Sequence, residues 1–538
     1  MPRSAANGTG LILLLLVGMF LALLVRTAWQ ADDAYTAWRL VDNFVHGHGL
    51  RNNVAERVQT FTATAWTMLN AFVYYFTNNI YYTSTVLSLV TSVAAVLVVA
   101  RRYSHSTRQL VFLFGAVMLS LAFMDFSVGG FENPLSHLIL AVFASLFFFG
   151  DANKRRTFRL LFLVAALGGL NRLDTLALYA PPLLVVLVQA KFSRGDKLRM
   201  VALSISPLFA WHLFATIYFG FPLQNAAYAK RFNGIPTSEF VRAGVDYYMN
   251  SIYRDPITLT VIVAALYVSW RSGAAKLRAF TVSIAIYLVY ILYVGGGYMS
   301  GRWFTVPYFA AILAILHSRV LENVAVGRVA LPAVLVLGCL GINPTFTTDK
   351  FYGVDRERSR TSEWLDKGIA DERASWYQHS GLLLASRNTS LPRSLPEWDF
   401  HKALTDWKAG MGDGPCIGTM APAGYFSYLA GPECHVYDLN GQVDPFMARL
   451  PIQLNEGWKQ AHHFRQAVPG YHETLVTGVN QIQDPDLRVY YDKIRLITRG
   501  PIWSWPRLKT IVAMNLGQYD YLLERFAARN AAPAAKPR

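Results

Sequence analysis

The sequence predicts a polytopic α-helical membrane protein with a soluble α/β domain at its C-terminal end. Three observations carry this. Apolar residues gather in charge-poor blocks, basic residues cluster in the short gaps between them, and the composition turns mixed after Asn343. Of 538 residues, 53% are hydrophobic and 16% charged, against about 25% charged in an average soluble chain. Leu11–Val25, Val86–Ala100, Leu110–Met124 and Ile257–Trp270 carry almost no charge. A bilayer-crossing helix needs about 20 mostly apolar residues. The first run is read as an uncleaved span rather than a signal peptide, because more spans follow.

The formal charge of +16 invites a nucleic-acid partner, and its placement argues against one. Arg101 and Arg102; Lys154, Arg155, Arg156 and Arg159; Lys191, Arg194, Lys197 and Arg199; and Arg271, Lys276 and Arg278 all sit between apolar runs. That is the pattern of positive-inside loops.

Taking those clusters as cytoplasmic sets the parity of the rest. Spans are expected near Leu11–Trp29, Ile80–Ala100, Leu110–Phe126 and Pro134–Phe149, with Gln30–Asn79 external and Ala63–Phe76 dipping into the interface. Between Arg159 and Lys191 an even number of crossings is required, so two short helices are expected to meet at Asn171-Arg172-Leu173-Asp174, the alternative being a single long helix that would invert part of this map. Further spans fall near Met200–Tyr218, Pro256–Trp270, Phe280–Val294, Thr305–His317 and Val329–Ile342. This makes about eleven crossings, with the C-terminal end outside.

Residues 1–343 therefore form a membrane module. Residues 344–526 form a domain of roughly 180 residues, an ordinary size for one domain. Within it, Cys416–Met420, Gly424–Ala430 and Cys434–Asp438 read as strand, helix and strand. Residues 527–538, rich in Ala and Pro, are expected to be disordered. Cys416 and Cys434 open the two strands; in an oxidising compartment they would pair, the alternative being two buried thiols. Cys339 lies in an apolar span.

The chemistry-bearing residues fall in expected external segments. Asp32 and Asp33 directly follow the first span. After them Ala34, Trp38, Val41 and Val45 share one helical face, and Tyr35, Arg39, Asp42 and His46 the other. Such a helix is expected to lie in the membrane surface, apolar side down, with the acidic pair at the lipid–water boundary. The plain structural reading makes Asp33 an N-cap and Asp32 its solvated neighbour. Glu132, Arg172 with Asp174, Asn225 with Lys230 and Arg231, and Arg302 lie at other external ends, and are expected to converge on the same face. A carboxylate there would take the proton of an attacking hydroxyl, and Lys230, Arg172 and Arg302 would steady a departing phosphate. No cofactor is demanded. A divalent cation would bridge carboxylate and phosphate, yet no ligand spacing calls for one, and His46-Gly-His48 alone is a poor metal site. Walker-type, Rossmann and zinc-ligand patterns are absent from the sequence.

The run Asp32-Asp33-Ala34-Tyr35, Arg39, Asn43, Gly47-His48-Gly49-Leu50, Asn53, Glu56-Arg57-Val58, Thr62 and Trp66 resembles the first loop of the GT-C-fold arabinofuranosyltransferase family. That family includes the mycobacterial terminal β-(1→2)-arabinofuranosyltransferases and relatives in other bacteria. Gly295–Phe304, Gly424–Pro432, Asp444–Pro451 and Ala467–Tyr471 are similar to later family segments. The resemblance implies a GT-C-like fold in the bacterial inner membrane and a polyprenyl-phosphate arabinofuranose donor. It also implies a glycan or glycoconjugate acceptor, transfer outside the cytoplasmic membrane, and catalysis by Asp32 or Asp33. Substrate contacts are expected from Tyr35, Arg39, His48 and Arg57 of this first loop and, on the reading of the external ends above, from Glu132, Arg172, Asp174, Asn225, Lys230 and Arg302. Two positions depart from the family pattern: Gly297 stands where an acidic residue often follows the glycine pair, and Asn171-Arg172-Leu173-Asp174 is not the usual hairpin variant. The alternative class is a transporter or flippase of lipid-linked glycans, for which no second broken element is evident in the sequence.

Overall fold

The structure is a computed structural model. It describes residues 3–231, 235–341, 344–346, 365–384, 400–419, 423–452, 460 and 462–530. The fold is mostly helical, with little sheet. Among the described residues, four helices are long and apolar enough to cross a membrane: Thr9–Thr27, Ile80–Tyr103, Arg194–Tyr218 and Ala275–Tyr293. A fifth crossing results if Thr237–Arg254 and Pro256–Ser272, bent by 106° at their junction, are one span. Thr107–Leu119, Asn133–Phe149, Leu173–Gln189 and Val324–Leu340 are apolar but shorter.

By contact, the chain forms two compact units that alternate along the sequence. The first comprises Met1–Ala31, Ala63–Phe209 and Thr237–Arg393; the second comprises Asp32–Thr62, Ala210–Pro236 and Ser394–Arg538. The single cut expected at 343/344 is thus not how contacts group the chain. The described residues after 343 up to 384 group with the first unit, and Asp32–Thr62 with the second.

The centre of the first unit is the helix Thr305–Ser318, buried continuously from Thr305 to Leu316. The helices Pro256–Ser272, Asn133–Phe149 and Ala275–Tyr293 pack around it. A helix that is apolar all round belongs in such a position. The expected break at Asn171–Asp174 is present: the helix Arg155–Asn171 ends on an extended Arg172, and a short 3₁₀ turn, Leu173–Thr175, precedes the helix Leu176–Gln189.

The expected span Leu110–Phe126 is divided instead into Thr107–Leu119 and Leu121–Phe126. Ser120 leaves helical geometry (φ −77°, ψ 118°) and its hydroxyl accepts from Phe123 N–H. The buried Asp255 carboxylate accepts from Ser120 Oγ at 2.9 Å and from Ala122 N–H at 3.0 Å, which satisfies the backbone the break frees. The unit's sheet is a tight antiparallel pair, Leu365–Asp366 with Ile369–Ala370, turning through Lys367 and Gly368 at positive φ.

In the second unit the strand–helix–strand reading is present in minimal form. Ile417–Gly418 pairs parallel with His435–Val436, with the helix Ala423–Ala430 between them in sequence. Each strand is only two residues long, and the described residues of the C-terminal part are otherwise mostly helical. Its core includes Phe446, Met447, Tyr471, Leu487, Ile494 and Ile497, among others. The helix Asp520–Asn530 runs into the segment expected to be disordered, because Arg529 pairs with Asp484 at 2.7 Å and also with Asp486. Residues 531–538 of that segment lie outside the described residues.

Cys416 and Cys434 form a disulfide, and Cys339 is a free, exposed thiol. Closing a loop of 18 residues stabilises by about 3 kcal/mol in the chain-entropy account. Alkylation of denatured, unreduced protein should therefore label Cys339 alone, with Cys416 and Cys434 labelling only after reduction. Mass spectrometry reads this directly, and labelling of all three without reductant would contradict the pairing.

Candidate functional site

The acidic pair opens the helix Asp32–Val45, and its two members have different surroundings. Asp32 is buried. Its carboxylate accepts from Gly424 N–H at 3.1 Å and from Tyr425 N–H at 2.7 Å, the first turn of the helix Ala423–Ala430. Seven residues on, Arg39 donates to the carbonyls of Gly431 (3.1 Å) and Cys434 (2.5 Å), just past the end of that helix. An acid thus meets the N–H end of the helix and a base its C=O end, each where the helix dipole favours it. Tyr35, between them, packs its ring on Tyr425 at 4.3 Å and on Tyr428 at 5.2 Å. Gly424 is required by this approach: a Cβ there would fall 1.9 Å from the Asp32 carbonyl oxygen.

Two expectations are overturned. The helix presents only the later part of its polar face to solvent: Tyr35 and Arg39 are buried alongside Ala34, Trp38 and Val41, while Asp42 is half-buried and His46 exposed. The roles assigned to the acidic pair are also exchanged, because Asp32 is the engaged member. Asp33 is half-buried and has no hydrogen-bond or ion-pair partner among the described residues. Burial pushes the Asp32 carboxyl up to about 7, with the Asp33 charge adding to this and the two N–H donors opposing it. Burial likewise pulls Arg39 down to about 10.

The remaining second-unit residues serve varied ends. Arg57 donates to the carbonyls of Tyr218 (3.1 Å) and Gly500. Asn225 donates to Gly441, Gln442 and Asp444 carbonyls and accepts from Arg449. Both therefore hold backbone together. His48 is exposed and Lys230 half-buried, with the Lys230 charge acting on His463. The side chain of Arg231 lies outside the described residues.

Glu132, Arg172, Asp174 and Arg302 come together in the first unit. Glu132 bridges Arg172 and Arg302 at 3.0 Å each. Arg172 also makes a forked pair with Asp174 at 3.0 and 2.9 Å, and Asp174 accepts from Tyr287 as well. Arg172 lies over the Trp303 ring at 4.4 Å and Arg302 over Phe131 at 3.8 Å. Burial alone would raise the Glu132 carboxyl, but Arg302 and Arg172 hold it below its ordinary value. Two cations face two carboxylates, so the charge expected to grip phosphate is already matched.

No family model matches this sequence, and no curated protein or solved structure matches it. Among the described residues no three His, Cys, Asp or Glu side chains gather to hold a metal ion.

Sequence reasoning missed two groups. In the first unit Asp125 pairs with Arg373 at 2.6 Å and Arg254 with Asp371. A lone Asp at the end of an apolar run was the available signal. In the second unit Glu56 pairs with Arg499 at 3.2 Å, near His435, and buried Asp444 accepts from Tyr471 at 2.5 Å. Only the family resemblance had touched Glu56 and Asp444.

The two aspartates should separate by thermal unfolding. Asp32→Asn cannot accept both N–H bonds and should lose about 1–3 kcal/mol, whereas Asp33→Asn should leave the midpoint unchanged. Because the folded Asp32 pKa is raised, the folded state holds the extra proton. Its contribution should decline as pH rises from about 4 to about 7, a slope that Asp32→Asn should remove. In the first unit, Glu132→Gln leaves the buried Arg172 and the half-buried Arg302 short of their shared counter-charge and should cost about 3–5 kcal/mol, measurable in the same denaturation assay.

Proposed function

We propose that the chain is a membrane glycosyltransferase that moves a sugar, D-arabinofuranose by its family resemblance, from a polyprenyl-phosphate donor to a glycan or glycoconjugate acceptor. In this reading the chain crosses a bacterial inner membrane about eleven times and carries its C-terminal part on the extracytoplasmic side. The basic clusters in the gaps and the shorter apolar helices beside the four long ones support that topology.

The observation that carries the reading is the asymmetry of the acidic pair. Asp32 is committed to Gly424 and Tyr425, while Asp33, next to it, has no partner among the described residues. Asp33 is the catalytic base of the proposed reaction and Asp32 the positioning residue. The acceptor hydroxyl oxygen attacks the anomeric carbon and its proton passes to the Asp33 carboxylate. The bond from that carbon to the phosphate oxygen breaks, and its electron pair leaves with the polyprenyl phosphate. Lys230 is the second-unit cation retained for the leaving phosphate. Arg172 and Arg302 already have carboxylate partners, so they are assigned to holding their loops.

A transporter or flippase of lipid-linked glycans is the second reading. The 106° bend at Asp255 and the break at Arg172 favour it, since transporters bind at interrupted helices. Reconstituted vesicles separate the two. With a polyprenyl-phosphate pentose and a glycan acceptor, the enzyme reading expects a transfer product that falls at least about 100-fold in Asp33→Asn, with folding unchanged. Lipid-linked substrate crossing the bilayer without any product would support the transporter. Full transfer activity in Asp33→Asn would remove the assigned base.

A further inference from the structure

Four exposed side chains on the C-terminal helices make a stripe that folding of the second unit leaves uncovered. In the helix Trp505–Asn515 the inward positions are Arg507, Thr510, Ile511 and Met514. On the opposite side lie Trp505, Lys509, Val512 and, just past the last turn, Leu516. The spacing i, i+4, i+7, i+11 places these four within about 60° of one another at 3.6 residues per turn. Trp505 is 67% exposed, Val512 59% and Leu516 69%, with Trp503 on the preceding loop at 74%. The Lys509 ammonium lies 5.3 Å from the Trp505 ring centre.

The height of this stripe is set by what its buried side holds. Arg507 donates to the carbonyl of Tyr218 at 2.9 Å, and Asn515 to that of Gly220 at 2.9 Å. Tyr218 is the last residue of the apolar helix Arg194–Tyr218, whose opposite end carries Arg194, Lys197 and Arg199. At 1.5 Å per residue about 20 residues cover the ~30 Å hydrocarbon layer. With the basic turn at one boundary, Tyr218–Gly220 reach the other. A helix pinned to that point lies at the lipid–water boundary, where Trp and Lys are favoured and apolar side chains enter the acyl region.

We propose that Trp503, Trp505, Val512 and Leu516, with Lys509, form an interfacial anchor that seats the helix Trp505–Asn515 on the headgroup layer of the bilayer that the helix Arg194–Tyr218 crosses. The anchor is independent of any transfer chemistry.

The test uses the full chain carrying Cys339→Ser and reconstituted in phosphatidylethanolamine–phosphatidylglycerol vesicles. Nitroxide labels go at Trp505→Cys, Val512→Cys and Leu516→Cys, with Glu524→Cys, exposed on the next helix, as the aqueous reference. Power saturation is read with oxygen and with a water-soluble nickel chelate. The expected result is an oxygen-to-nickel accessibility ratio several-fold higher at the three stripe positions than at residue 524. Ratios equal to the reference would overturn the anchor, and so would protection from both reagents, which would mean that protein covers the stripe. In the unsubstituted protein, a lipid carrying a diazirine near its glycerol should label the peptide containing residues 503–516. Its absence from the labelled set would equally refute the proposal.

Discussion

Everything about the acidic pair follows from one constraint: the Asp32 carboxylate is held against the first N–H groups of the helix Ala423–Ala430. A helix start has donors without intrahelical partners, and a buried carboxylate needs donors to offset its lost hydration. Each meets the other's need. Arg39 does the converse at the far end of the same helix, so the interaction sets both position and direction. Glycine at 424 is what allows the backbones to come so close. Because adjacent helical residues point about 100° apart, fixing Asp32 against one neighbour turns Asp33 away from it. The different surroundings of two identical side chains are therefore a matter of helix geometry.

The ion cluster of the first unit shows how arginine is kept at a helix break. Extended backbone at Arg172 exposes polar groups among apolar helices, which is tolerable only where partners surround them. Glu132, Asp174 and the faces of Trp303 and Phe131 supply those partners. A buried network of this kind adds little net stability, since an apolar replacement of the whole set is often no worse. It does fix one geometry for three loops that are far apart in sequence.

The apolar helices were legible because membrane-length apolar runs are a local property, and so was the interruption at Asn171–Asp174, where length and charge parity conflicted. The division at Ser120 was not, because Asp255, which supplies its missing bonds, is 135 residues away. Amphipathic period in Asp32–Val45 pointed to a helix correctly but could not tell a lipid surface from a protein one. Arg39 reads as a solvated residue until the carbonyls it caps, more than 390 positions on, are known. The backbone carbonyls to which Arg57 and Asn225 donate were hidden for the same reason: they lie in distant segments. The grouping of Asp32–Thr62 with Ser394–Arg538 is likewise invisible to composition, which changes only at Asn343.

The most direct measurement of the central assignment is a structure of the full chain with a polyprenyl-phosphate sugar bound. The account expects the Asp33 carboxylate within hydrogen-bond reach of the acceptor hydroxyl position beside the anomeric carbon, with Asp32 still accepting from Gly424 and Tyr425. A donor whose anomeric carbon sits against Asp32, or away from both aspartates, would contradict it.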